Sequence, residues 1–136
     1  MMRVVFDTNV LISSTLWEGS VAQKLLFKCI DLNISIFSST EILSEYKKVL
    51  KRDFGYADDE VTLILEKIMQ YIRIVQPKEK VDAIKEDPED NKILECAMAS
   101  SSQCIITYDK HILKLKEFRG IRIIKLEEAL TVLQSP

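Results

Sequence analysis

The chain has 136 residues, 47% hydrophobic and 29% charged, with three Gly, three Pro and a net charge of −2. That length and balance describe one compact domain, residues 1–136, able to bury a core; disordered, fibrous and collagen-like classes are excluded. The near-neutral charge excludes a general coat for polyanions, while leaving room for Lys and Arg clusters beside an acidic pocket that a cation neutralises.

The run Val4–Phe6 near the N-terminus is β-branched and aromatic without alternation, which predicts a short strand buried on both faces of a parallel sheet. It stops at Asp7, the end at which open α/β sheets place ligands, although Asp is also a common helix cap. Residues 12–20 read as loop or short helix, and Val21, Leu25, Leu26, Cys29 and Ile30 recur at helical spacing. A second strand is expected at Ile34–Phe37. Ser38 and Glu41 have capping-box spacing, which predicts a helix beginning near Ser39 and running to Arg52.

Asp58, Asp59 and Glu60 suit the positive end of the next helix, VTLILEKIMQYI. A few extended residues follow in RIVQP, and KEKVDAIKEDPED, the most polar stretch, reads as surface loop. Asp87 and Pro88 are expected as N-cap and first position of the helix NKILECAMASS, which puts Asp90 in its first turn. Cys104–Asp109 repeats the opening pattern of an apolar strand ending in an acid. A short helix HILKLKEF, a stop at Gly120, the strand IRIIKL and a last helix EEALTVLQ complete the chain. Strands alternating with helices imply an α/β fold with a mainly parallel sheet covered by helices.

Cys29, Cys96 and Cys104 are odd in number, unclustered and in apolar surroundings, as in reduced core positions of a cytoplasmic protein. Asp7 and Asn9 interrupt the apolar N-terminus, so neither a signal peptide nor a membrane span is expected there.

Two strand-end acids, Asp7 and Asp109, converge if their strands are neighbours, and like charges held close call for protonation or a bridging cation. Oxygen donors point to Mg²⁺ or Mn²⁺; with His111 the single histidine and the cysteines scattered, no zinc set is available. On the helix 39–52, Glu45 lies roughly 100° from the middle of the apolar face and Glu41 roughly 140°, so Glu45 is nearer the protein. Thr107 is placed to hydrogen-bond a neighbouring carboxylate. Single acids of these kinds are ordinary as caps or solvated helix residues.

Taken in order, FDTNVLIS, SSTEILSEYKKVL, DPEDNKILECAMA and IITYDKHIL resemble the PIN domain family, in particular its small single-domain members found as toxins of toxin–antitoxin pairs. The resemblance spans nearly the whole chain and implies a three-layer α/β/α sandwich with a central, mainly parallel twisted sheet. It implies four catalytic and metal-binding acids, Asp7, Glu45, Asp90 and Asp109, with Asn9 and Thr107 supporting them. The last motif departs from the family: where many relatives read T-G-D-x-D, this chain has Thr107, Tyr108, Asp109, Lys110 and His111. The second acid is replaced by His111, and Tyr108 adds bulk.

What the resemblance implies is a ribonuclease dependent on Mg²⁺ or Mn²⁺ that hydrolyses single-stranded RNA, with an antitoxin partner and a homodimeric state as further expectations. Two basic groups could hold a phosphate backbone: Lys47, Lys48, Lys51 and Arg52, and Lys110, Lys114, Lys116 and Arg119, the latter following Asp109 directly. Tyr108 could stack on a base; Trp17 suits a core or subunit contact. A haloacid-dehalogenase-like site would want an acid at Asn9, a receiver domain would want paired acids, and no Gly-rich phosphate loop is present. The alternative within the fold is a catalytically weak nucleic-acid-binding or dimerisation module.

Overall fold

The computed structural model describes residues 2–133. The order is β1 (Arg3–Phe6), α1 (Thr8–Leu16), α2 (Val21–Asp31), β2 (Ser35–Ser39), α3 (Thr40–Arg52), α4 (Asp58–Ile68) and β3 (Ile72–Val75). A 3₁₀ turn (Pro88–Asp90) then leads into α5 (Asn91–Ala99), β4 (Cys104–Ile106), α6 (Lys110–Leu113), β5 (Glu117–Phe118), β6 (Ile121–Ile124) and α7 (Leu126–Val132). The strands form one sheet in the order β3-β2-β1-β4-β6-β5. All pairings are parallel except β5 with β6. The result is a three-layer α/β/α sandwich with a mostly parallel sheet.

Unbroken apolar runs form the central strands because helices cover both faces, leaving no polar side to alternate with. Val4, Val5 and Phe6 are wholly buried, in register with Ile36 and Phe37 on one side and Cys104, Ile105 and Ile106 on the other. Full burial of such side chains is worth roughly 1.5–3 kcal/mol each. On α3, Ile42, Tyr46 and Leu50 recur every four residues and are fully buried, as an amphipathic helix requires. The Tyr46 hydroxyl meets Thr15 Oγ1 at 2.7 Å, which satisfies a buried polar atom and ties α3 to α1. Cys29, Cys96 and Cys104 are free and buried, and burial pushes the Cys29 and Cys96 thiols up to about 12.

Several local expectations are corrected. Ser39, not Ser38, caps α3, its Oγ accepting the Ile42 N–H at 3.3 Å; Ser38 belongs to β2, whose pairing with β3 carries it past the expected strand end. The helix expected within residues 12–20 starts earlier, at Thr8, and Asp7 is its N-cap, the carboxylate accepting the Thr8 N–H. Asp87 stands at the N-cap of the 3₁₀ turn with Pro88 at its first position, but its side chain caps nothing. The expected helix 111–118 ends at Leu113, and Glu117–Phe118 instead pairs antiparallel with β6, because a two-residue turn at Arg119 and Gly120, both at positive φ, folds the chain back. Trp17 is half exposed with its ring edge-on to Phe54, centroids 5.9 Å apart, and is not a core residue. Gln134, the expected end of the last helix, lies outside the described residues. No described helix is long and apolar enough to cross a membrane.

The polar stretch before α5 is not free surface. Asn91 is buried; its Oδ1 accepts the Ala83 and Ile84 N–H groups and its Nδ2 donates to the Ile84 and Pro88 carbonyls, all at 2.9–3.0 Å. Glu95, also buried, accepts the Val81 N–H at 2.9 Å. These two side chains replace ladder bonds and let Val81 and Ile84 enter the core.

Candidate functional site

From β1 the chain proceeds to β2 and β3 on one side, then returns to place β4 on the other side of β1. The carboxyl ends of β1 and β4 therefore flank the crevice where strand order reverses, the preferred ligand position in open α/β sheets. Asp7 leaves β1 there, and Thr107, Tyr108 and Asp109 leave β4. The two arms are joined: Asp7 N–H donates to the Ile106 carbonyl at 3.0 Å, and Thr107 Oγ1 donates to Asp7 Oδ2 at 2.7 Å.

A line of hydrogen bonds runs through this edge. The Asp109 N–H donates to Thr107 Oγ1 at 2.9 Å, and Thr107 donates in turn to Asp7. The Asp7 Oδ1 atom accepts the Thr8 N–H at 2.7 Å, and Thr8 Oγ1 donates to Glu45 Oε1 at 2.5 Å. Asp7, Thr8 and Thr107 are buried and Glu45 half-buried, whereas Glu41 is exposed. The register of α3 explains the last contrast: Ile42 and Tyr46 point into the core, and Glu45 lies beside that face. Asp109 caps α6, its Oδ1 accepting the His111 N–H at 2.7 Å and the Ile112 N–H at 3.3 Å.

Asp90 sits at the junction of the 3₁₀ turn and α5. Its Oδ2 is buried and has no hydrogen-bond partner. Burial pushes its carboxyl up to about 7, helped by the charges of Asp109, Asp87, Asp7 and Glu45. Asp7 is pushed up to about 6, chiefly by burial and further by Asp109 and Glu45, with the Thr107 and Thr8 hydrogen bonds opposing. Asp7 and Asp90 thus both lie within the electrostatic reach of Glu45 and Asp109. Two acids, Asp7 and Asp90, that resist ionisation, with one buried oxygen unpartnered, are what a hard divalent cation relieves. The donors present fit such an ion.

Asn9 is exposed on α1, and the bracing of the Asp7 carboxylate comes from Thr8 and Thr107. Sequence reasoning gave Thr8 and Lys92 no role and read the Asp87 carboxylate as a helix cap only. Lys92 is only 12% exposed, with Nζ 3.3 Å from Glu45 Oε1 and 3.6 Å from Glu89. An almost buried lysine one turn from the acids is the signal that local patterning could not supply, since burial of a helix lysine depends on what packs against it.

A cleft of about 520 Å³ opens beside Glu45, lined among others by Ser44, Lys48, Arg52, Glu89 and Lys92. Basic residues of α3 thus share a cavity with Glu45, while Asp7, Asp90 and Asp109 do not line it. In the second basic group, Lys114 pairs with Glu86 at 3.5 Å and Arg119 with Glu79 at 2.7 Å.

The sequence and the fold both have counterparts among known proteins. A family model described as PIN domain matches residues 3–111. The fold is similar to that of VapBC2 from Rickettsia felis bound to a promoter DNA fragment, with a TM-score of 0.66 and 13% identity over 91% of this chain and 98% of that one. DNA-bound VapBC from Salmonella typhimurium gives a TM-score of 0.65 and 13% identity over 93% and 99%. PAE2754 from Pyrobaculum aerophilum gives 0.59 and 15% over 96% and 95%. At such identities the likeness to these structures concerns the fold. No curated protein matches the sequence significantly.

Proposed function

The chain belongs to the PIN domain family, and from that premise we propose that it is a divalent-metal-dependent endoribonuclease, hydrolysing single-stranded RNA as the toxin of a toxin–antitoxin pair. The observation that supports this reading is that Asp7 and Asp90, pushed up to about 6 and 7, each feel the charges of Glu45 and Asp109, with a buried Asp90 oxygen left unpartnered. Uncompensated acids are costly to a fold and recur where charge is needed for function.

Asp7, Asp90 and Asp109 are the residues to hold Mg²⁺ or Mn²⁺, with Glu45 as a further ligand or as the group orienting the attacking water. A divalent ion, when bound, supplies the Lewis acidity that makes water nucleophilic near neutral pH and offsets the charge of the phosphate. The protein's own part is placement. Thr107 and Thr8 hold the Asp7 carboxylate by both oxygens, so its orientation is set before substrate arrives. Glu45 is held through Oε1 by Thr8 and Lys92 beside the cleft, and a carboxylate so positioned is a candidate to accept a proton from water. Lys48, Arg52 and Lys92 line the cleft beside Glu45, where their charge suits a phosphate backbone. Asn9 is left as a surface residue in this scheme.

An antitoxin partner is favoured by the likeness to VapBC assemblies. Phe27, Ile30, Leu63, Met69 and Tyr71 are exposed on and after α2 and α4, apolar surface suited to covering by a second chain, whether antitoxin or another copy in a homodimer. The test is cleavage of labelled single-stranded RNA by purified protein with Mn²⁺, Mg²⁺ or EDTA. Ion-dependent cutting that Asp7→Asn and Asp90→Asn abolish is expected. Cleavage undiminished in both variants would remove the site assignment, and RNA binding without cleavage under either ion would make the protein a binding module instead.

A further inference from the structure

The donor atoms of Asp87, Asp90 and His111, one from each residue, all lie within 4.8 Å of one another. Two segments that are distant in sequence make this meeting. Asp87 and Asp90 flank a 3₁₀ turn closed by the Asp90 N–H to Asp87 carbonyl bond of 3.0 Å, and in 3₁₀ geometry residues three apart eclipse on one side. An α-helical turn would offset the two side chains; here they face the same way. His111 enters from the first turn of α6, its backbone fixed by the Asp109 cap.

We infer that His111 and Asp87 join Asp90 as ligands of a divalent ion, so that this chain has an imidazole-containing ion site and discriminates in favour of Mn²⁺ over Mg²⁺. This rests on the metal-dependent reading of the acid cluster and deepens it. Several independent observations support it. The Asp90 Oδ2 atom is buried without a partner, and the Asp87 side chain makes no cap bond although it stands in a capping position. The His111 ring is half exposed, with Nδ1 3.9 Å from Asp109 Oδ1 and no ring hydrogen bond among the described residues. An ion at about 2.1 Å from its donors holds adjacent ligands about 3 Å apart and opposite ones about 4.2 Å apart. Closing the triad from its present spread therefore takes side-chain movement of about an ångström and no backbone change.

The chemical consequence follows from the donor type. Mg²⁺ binds oxygen and keeps its waters, whereas imidazole suits later divalent ions, whose affinity for nitrogen rises along the first row. Replacing a carboxylate by His111 also lowers the negative charge at the site by one, which weakens a purely electrostatic ion more than one that forms a nitrogen bond. The acid-to-histidine change in the last motif is thus a change of metal preference rather than a loss of a ligand.

The test is binding of Mn²⁺ and Mg²⁺ to metal-free protein by calorimetry, with pulsed electron paramagnetic resonance of the bound Mn²⁺, on the parent chain and on His111→Gln, Asp87→Asn and Asp7→Asn. The parent is expected to bind Mn²⁺ at least tenfold tighter than Mg²⁺ and to show imidazole ¹⁴N coupling. His111→Gln is expected to lose that coupling and to weaken Mn²⁺ about tenfold while changing Mg²⁺ little; Asp87→Asn should weaken both. His111 is half exposed, and thermal melts of the variants check folding. Mn²⁺ bound without ¹⁴N coupling, and with unchanged affinity in His111→Gln, overturns the imidazole site while leaving the nuclease reading intact. If the parent binds neither ion, both readings fall together.

Discussion

Replacing Asp7 by Asn is expected to make the metal-free protein more stable at alkaline pH, even though it removes a residue assigned to the active site. In the fold the Asp7 carboxyl is pushed up from 3.8 to about 6. The stabilisation that comes with its neutral form is fully present below the unfolded value and is lost as pH rises through about 6. Above that pH the charge costs roughly 3 kcal/mol, and near pH 4.5 only about 1 kcal/mol. Asparagine carries no charge but turns an amide toward the Thr107 hydroxyl that now donates to Oδ2, a loss of about 1 kcal/mol at all pH values. The variant should then exceed the parent by about 2 kcal/mol near pH 8 and match it near pH 4.5. For a chain of this size that is roughly 6–8 °C in melting temperature at the higher pH. Thermal denaturation in EDTA across this range measures it. A variant less stable than the parent at about pH 8, or a difference that does not change with pH, would refute the assignment of strain to the Asp7 charge. Adding Mn²⁺ should reverse the order, since ion at about a hundred times its dissociation constant stabilises the parent by about 2.7 kcal/mol.

Thr107→Val leaves the Asp109 N–H and Asp7 Oδ2 without their shared partner; urea denaturation should show a loss of about 1–3 kcal/mol, calorimetry a ten- to hundredfold loss of ion affinity, and Thr107→Ser should restore both. Lys92→Met removes the cation 3.3 Å from Glu45 Oε1; ion affinity should rise about threefold or more, while kcat/KM for RNA falls about tenfold as a phosphate contact in the cleft is lost. Unchanged values of both would place Lys92 outside the site. Asn91→Ala deletes four hydrogen bonds that hold residues 83–88; a cost of about 3 kcal/mol is expected, with faster amide exchange at Ala83 and Ile84 measured by mass spectrometry.

Strand and helix identity was legible wherever one local pattern dominated. Val4–Phe6 and Cys104–Ile106 carry no polar alternation and are buried on both faces; Ile42, Tyr46 and Leu50 repeat at helical spacing and form the inner face of α3. Boundaries went wrong where neighbours compete. Ser38 and Ser39 are equivalent as caps by composition, and β2–β3 pairing, which extends through Ser39, decided between them. The return of Glu117–Phe118 along β6 has no signal in a two-residue strand.

The four acids were singled out by the likeness of their motifs and order to a family pattern, and the apolar runs before Asp7 and Asp109 placed those two at strand ends. Only the tertiary structure decided the environment of each. Burial against distant strands, not the residue type, pushes Asp7 up to about 6 and Asp90 up to about 7. Bonds across 100 residues between Thr107 and Asp7, and across 37 between Thr8 and Glu45, depend on strand order. The meeting of His111 with Asp87 and Asp90 needs one 3₁₀ turn where local spacing suggested a capped α-helix. Local pattern sets which backbone each segment adopts; the charge state and partners of a side chain are set by atoms that the chain brings in from elsewhere.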